Sequence, residues 1–149
     1  MKKGICCAGN MIVDITYPIE TWPKQNELTH ITEGIQNSTG GAVCNTITDL
    51  ARLDPKLHLV ASGFAGHDAE GDFLLQEMGK YSNIDLSMVR RDGRTSFTAV
   101  MSNNQTKEQN QFYARARSGK KSRSCAVHIY FTICRRSLHS VFIHRGARM

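Results

Sequence analysis

Three short clusters in this 149-residue chain combine glycine with groups able to hold a ligand. The first is Gly9-Asn10-Met11-Ile12-Val13-Asp14. Asp14 closes a dense apolar run, Ile5 to Ile15, that reads as one buried strand. A carboxylate at the exit of such a strand faces the crevice beyond the carboxyl edge of a parallel sheet, where α/β proteins bind ligands. It can accept hydrogen bonds from two adjacent hydroxyls of a sugar. The competing reading is an Asp that ends the strand and caps a turn.

The second cluster is Gly40-Gly41-Ala42-Val43-Cys44-Asn45. Paired glycines before a helix let backbone N–H groups approach a ligand, and a helix N-terminus favours oxygen ligands. Asn45 falls one turn into the helix, so its amide reaches the same space. A plain loop with a flexible helix start explains the glycines equally well. The third cluster, Gly63 to Gly71, closes a strand and opens a helix, and lacks the Lys-Ser/Thr of a phosphate loop. Its glycines suit tight turning and helix–strand packing, with Asp68 as helix N-cap.

The elements that must position these groups follow from periodicity. Pro18 and Pro23 mark a turn or loop, and Glu27 to Gln36 alternates weakly as an edge strand or short ribbon before the break at Ser38 to Gly41. Val43, Ile47, Leu50 and Ala51 share one face, predicting a helix over 42–53 that Asp54-Pro55 ends. Leu57 to Phe64 is a second apolar strand, and 68–81 a second helix with Asp68, Glu70 and Asp72 at its N-terminal end. Strands are expected at 84–90 and 95–102, joined by a turn at Asp92-Gly93, with another starting at 111–113. This order predicts an α/β layer fold with a strand appendage.

Charge divides the chain in two. Residues 1–113 carry 10 basic and all 13 acidic residues, whereas residues 114–149 carry nine basic residues and no acid. The net charge of +6 is therefore a property of the tail, and a nucleic-acid reading drawn from the whole-chain value is misplaced. Five cysteines without disulfide-type spacing indicate a reducing compartment, with the cytoplasm as the expected location. Asn10 and Asp14 interrupt the N-terminal apolar run before it reaches signal-peptide length, and no run is long enough to cross a bilayer.

In order and spacing, the three clusters resemble the N-terminal half of the ribokinase-like, PfkB-type carbohydrate kinases. Gly9 to Asp14 matches the family's opening strand, with Asn10 as in its nucleoside-kinase branch. Gly40, Gly41 and Asn45 match its Gly-Gly-x-x-x-Asn element, and Gly63, Gly66, Asp68 and Gly71 match Gly-x-x-Gly-x-Asp-x-x-Gly. The likeness covers about residues 4–113. It implies the N-terminal portion of a three-layer α/β fold with a small β lid near Thr95 to Met101, the C-terminal half missing. It also implies ATP-dependent phosphoryl transfer, with Mg²⁺, to a sugar or nucleoside hydroxyl. Asp14, Gly40, Gly41 and Asn45 would then contact substrate, and lid strands would pair between two copies of the chain. The family's catalytic Gly-Ala-Gly-Asp element and its ATP-binding half have no counterpart in this chain, so neither a catalytic residue nor an ATP or Mg²⁺ ligand is assigned, and the expectation is an inactive enzyme.

The loss of every acidic residue beyond Tyr113 is what translation in a shifted frame produces, and residues 114–149 are expected to be a frameshifted or disordered basic tail. Two sharper readings compete. Arg115, Arg117, Lys120, Lys121 and Arg123 could form an arm for nucleic acid, but aromatic residues are separated from that run. Cys125, His128, Cys134, His139 and His144 include one ligand-like spacing for a metal. Val127 to Cys134 reads as a short strand. The function classes carried forward are a kinase family member, a non-catalytic sugar-binding module, and a nucleic-acid binder using the tail.

Overall fold

A computed structural model describes residues 4–32, 34–115, 128–132 and 139–141 of the chain. Strand β1 (Gly4–Ala8) is followed after three residues by β2 (Ile12–Ile19), then β3 (Gln36–Gly40), helix α1 (Gly41–Leu53), β4 (His58–Ala65), helix α2 (Ala69–Gly79), β5 (Ile84–Arg91), β6 (Ser96–Asn103) and β7 (Gln109–Ala114). Two further strands, β8 (His128–Thr132) and β9 (His139–Val141), come from the tail.

The strands form two sheets, β5-β4-β1-β8-β9 and β3-β2-β6-β7. In the first, β1, β4 and β5 are parallel, and β8 lies antiparallel along the whole of β1, from Gly4 opposite Thr132 to Ala8 opposite His128. In the second, β2 pairs antiparallel with β3 and parallel with β6, and β7 returns antiparallel on β6.

Both helices pack on one face of the parallel strands. Val43, Ile47 and Ala51 of α1, spaced four residues apart, meet Leu74 and Met78 of α2 over Cys7, Leu59, Ala61 and Ile84. Ile47 and Leu59 are fully buried, each worth about 1.5–3 kcal/mol relative to exposure. Met11 and Val13 join the same core and Phe97 packs on it, so the base of the second sheet is fastened to the first.

Four expectations need correction. The apolar run 5–15 is two strands in two sheets, because the chain leaves β1 at Gly9 and re-enters a ladder at Ile12. Pro18 lies inside β2 rather than in a loop. The β2–β3 ladder stops at Thr16 opposite Gln36, short of Pro18, whose carbonyl accepts the Thr32 N–H at 3.0 Å, so the proline's missing donor breaks no ladder bond there. The ribbon read at 27–36 is irregular except for one bridge between Ile19 and Ile31, and the diglycine segment instead ends a true strand, β3. Asp92-Gly93 does not join a hairpin: β5 and β6 belong to different sheets.

Two stretches of the tail, β8 and β9, join the larger sheet, and β8 lies within the apolar segment read as a strand. Cys125, Cys134 and His144 of the metal reading lie outside the described residues, as does the basic run after Arg115. No helix among the described residues is long and apolar enough to cross a membrane.

Candidate functional site

Asp14 does not stand at the carboxyl edge of the parallel sheet, as its sequence context implied, but on β2 of the smaller sheet. Its register partners are Ser38 on β3 and Thr98 on β6, and Thr98 in turn pairs with Tyr113 on β7. Register partners point to the same face of a sheet, so Ser38, Asp14, Thr98 and Tyr113 form one row across all four strands.

The antiparallel β2–β3 ladder sets Ile12 opposite Gly40, two residues from the Asp14–Ser38 pair and on the same face. The consequence is close contact. A Cβ on Gly40 would strike the Asp14 carboxylate, so the carboxylate rests directly on the Gly40 backbone. Gly40 has extended backbone (φ −137°) and serves as N-cap of α1 without a side-chain hydrogen bond. Gly41 needs its lack of a side chain twice over: its φ is +83°, and the Asn10 carbonyl occupies the place of a Cβ. That same carbonyl accepts the Val43 N–H at 3.4 Å.

Asn45 lies one helical turn beyond Gly41, on the same side of α1, and is exposed. Beneath it, Cys44 is fully buried. Burial pushes its thiol up to about 11, hydrogen bonding to the Ile12 backbone opposes this, and the Asp14 charge adds to the rise. Asp14, Gly40 and Gly41 are thus contiguous, with Asn45 one turn away along the exposed side of α1. The Asp14 carboxylate, flanked in register by the hydroxyl residues Ser38 and Thr98, is a grouping suited to a polyol, whose hydroxyls both donate and accept.

The third cluster is a separate packing joint. Asp68 caps α2, its Oδ1 accepting the Gly71 N–H at 3.0 Å and the Thr95 hydroxyl at 2.5 Å, while its Oδ2 accepts the Thr95 N–H at 2.8 Å. The Thr95 Oγ1 accepts the Gly66 N–H at 2.8 Å. Burial would raise the Asp68 carboxyl; the bonds from Thr95 and Gly71 outweigh it and hold the group below its ordinary value. Sequence reading found the cap and missed Thr95. It also left Ser38, Thr98 and Tyr113 out of the site, because strand alternation shows which residues share a face but not which strands are neighbours.

At the start of α2 the Asp68 side chain occupies the Gly71 N–H, and at the start of α1 the Asn10 carbonyl stands where a Gly41 side chain would be. Among the described residues no group of three His, Cys, Asp or Glu could hold a metal ion. No ATP or Mg²⁺ ligand is assigned among the described residues.

The family model for pfkB family carbohydrate kinases matches residues 2–129, most of the chain. The chain belongs to this family. The match runs past Tyr113, through the point where acidic residues cease. No curated protein matches by sequence. Among solved structures, Arabidopsis thaliana ribokinase complexed with ribose and ATP is similar at 23% identity and a TM-score of 0.67, covering 76% of this chain and 36% of its own. Thermotoga maritima ribokinase gives 18% identity and a TM-score of 0.63 over 72% and 34%. Methanocaldococcus jannaschii nucleoside kinase gives 18% and 0.59 over 73% and 36%. This pfkB chain thus shares their fold and spans little more than a third of their length.

Proposed function

We propose that this chain carries the acceptor-binding part of an ATP-dependent carbohydrate kinase. Asp14 accepts hydrogen bonds from two neighbouring hydroxyls of a sugar or nucleoside ribose. Gly40 and Gly41 let the ligand approach the backbone, and the Asn45 amide completes the contact. The observation that supports this most is the Asp14 carboxylate lodged on Gly40 at the start of α1, in a chain of this family. ATP and Mg²⁺ are part of the family's chemistry; in a chain spanning little more than a third of its structural neighbours, the role proposed is to bind and orient the acceptor.

Calorimetry with D-ribose, D-fructose and adenosine tests the proposal. At least one is expected to bind, and Asp14→Ala to weaken it about tenfold or more. Binding unaffected by Asp14→Ala would refute the assignment. In an ATP-consumption assay with the same acceptors the chain as written is expected to show no turnover. A second reading, a sugar-binding module without catalysis, shares both of these expectations; ATP consumption by the chain joined to the family-like sequence of its downstream frame would favour the first reading, and continued inactivity the second.

Two lesser proposals accompany these. Lid edge β7 exposes Phe112 and Tyr113, 60% and 54% accessible, a surface suited to a second copy; light scattering of purified protein measures the dimer. A change of reading frame, expected from residue 114 on charge alone, is proposed instead beyond residue 129, where the family match ends, and translation of the coding DNA beyond that codon in the other two frames must then restore family-like sequence.

A further inference from the structure

We propose that the outer end of the four-stranded sheet carries a second saccharide site, built on Trp22. A cleft of about 480 Å³ opens there, lined by Trp22, Glu108, Gln109 and Asn110. Its walls are held in place. The loop bearing Trp22 is tied by the Glu20 N–H to the His30 carbonyl at 3.1 Å and by the Thr29 hydroxyl to the Thr21 carbonyl at 2.6 Å. Opposite, buried Asn103 organises the turn before β7, its Oδ1 accepting the N–H groups of Gln105 and Thr106 at 2.8 and 3.0 Å. The Glu108 carboxylate accepts the Thr106 hydroxyl at 3.0 Å, which leaves it further acceptor capacity.

An indole beside a carboxylate and two carboxamides is suited to a sugar ring, with C–H groups against the aromatic surface and hydroxyls bonded at the edge. An ammonium or guanidinium ligand would suit Trp22 and Glu108 alone. One N–H of the Gln109 amide reaches the Ser102 hydroxyl at 3.5 Å; a cation carries no acceptor for the other or for the Asn110 amide, whereas sugar hydroxyls serve donors and acceptors alike. The cleft is distinct from the Asp14 site. Gln109 pairs with Ser102, four residues along β6 from Thr98, the partner of Asp14, which at about 3.3 Å per residue is roughly 13 Å. The proposal does not rest on the kinase reading.

Trp22 is the chain's one tryptophan, so its emission reports on this cleft. Titration of the full chain with D-glucose, D-ribose and maltose is expected to give a saturable fluorescence change with at least one sugar. Combined Glu108→Ala and Gln109→Ala, both at exposed positions, should weaken it about tenfold. Glu108→Gln, which preserves size, should weaken it with unchanged circular dichroism. Asp14→Ala should leave the curve unaltered. Absence of change with every sugar, an equal response to tetramethylammonium, or abolition by Asp14→Ala would each overturn the second site. The Asp14 assignment is judged separately, by calorimetry on its own variant.

Discussion

The Asp14 carboxylate lies against the α carbon of Gly40, with no room between them for a methyl group. The β2–β3 register brings them together, and the start of α1 follows immediately. Because Gly40 has ordinary extended backbone, its need for glycine is purely one of space.

Gly40→Ala should therefore destabilise the protein by about 1–3 kcal/mol, the usual cost of overpacking. Most of that loss should vanish in an Asp14→Ala background, where the colliding carboxylate is gone. Urea unfolding of the two single variants and the double variant measures the coupling. Additive losses would show that the two residues do not touch.

The bonds around Asp68 carry a signed dependence on pH. Its carboxyl is held below the ordinary 3.8, so its contribution is complete above that value and is lost as pH falls through the folded-state value. Asp68→Asn should cost about 1–2 kcal/mol near neutrality, the scale of a lost N-cap. Below pH 3.8 its stability should converge on that of the wild type, as denaturant midpoints at the two acidities will show.

Cys44 supplies a chemical probe of the same corner of the fold. Buried and raised to about 11, it should resist iodoacetamide in the native protein, with labelling located by peptide mass spectrometry. Asp14→Asn removes a charge that raises the thiol, so the pH at which Cys44 begins to react should fall. An unmoved profile would place the carboxylate away from α1.

A chain ended after Arg115 loses β8 and β9 and bares the outer edge of β1, which all five β8 residues otherwise pair. An open edge invites pairing with other chains. The shortened protein should elute as larger species and bind thioflavin, while the full chain does neither under the same conditions.

Much of the frame was legible from residue order. Val43, Ile47 and Ala51 announce α1 by spacing alone, and Asp68 announces the start of α2, because a helix is set by neighbours three and four positions away. The site was legible as a set of residues but not as a place. Asp14 looked like the end of a buried strand because Met11, Ile12 and Val13 keep the run apolar across the change of sheet. The reason is physical: Met11 and Val13 are buried in the same core as Cys7, so both sides of the junction demand hydrophobic side chains. Thr98 and Tyr113 were out of reach for another reason. Their relation to Asp14 is a register between distant strands, and local patterning holds no record of it.

The parallel pairing of β2 with β6, from Ile12 with Ser96 to Ile19 with Asn103, also governs how the molecule must be made. During synthesis β2 emerges early, yet its long partner follows only after both helices and three further strands have left the ribosome. Contacts so remote along the chain form slowly. The β2–β6 ladder therefore forms late, and a nascent chain stalled before Ser96 presents β2 with β3 as its sole ladder partner.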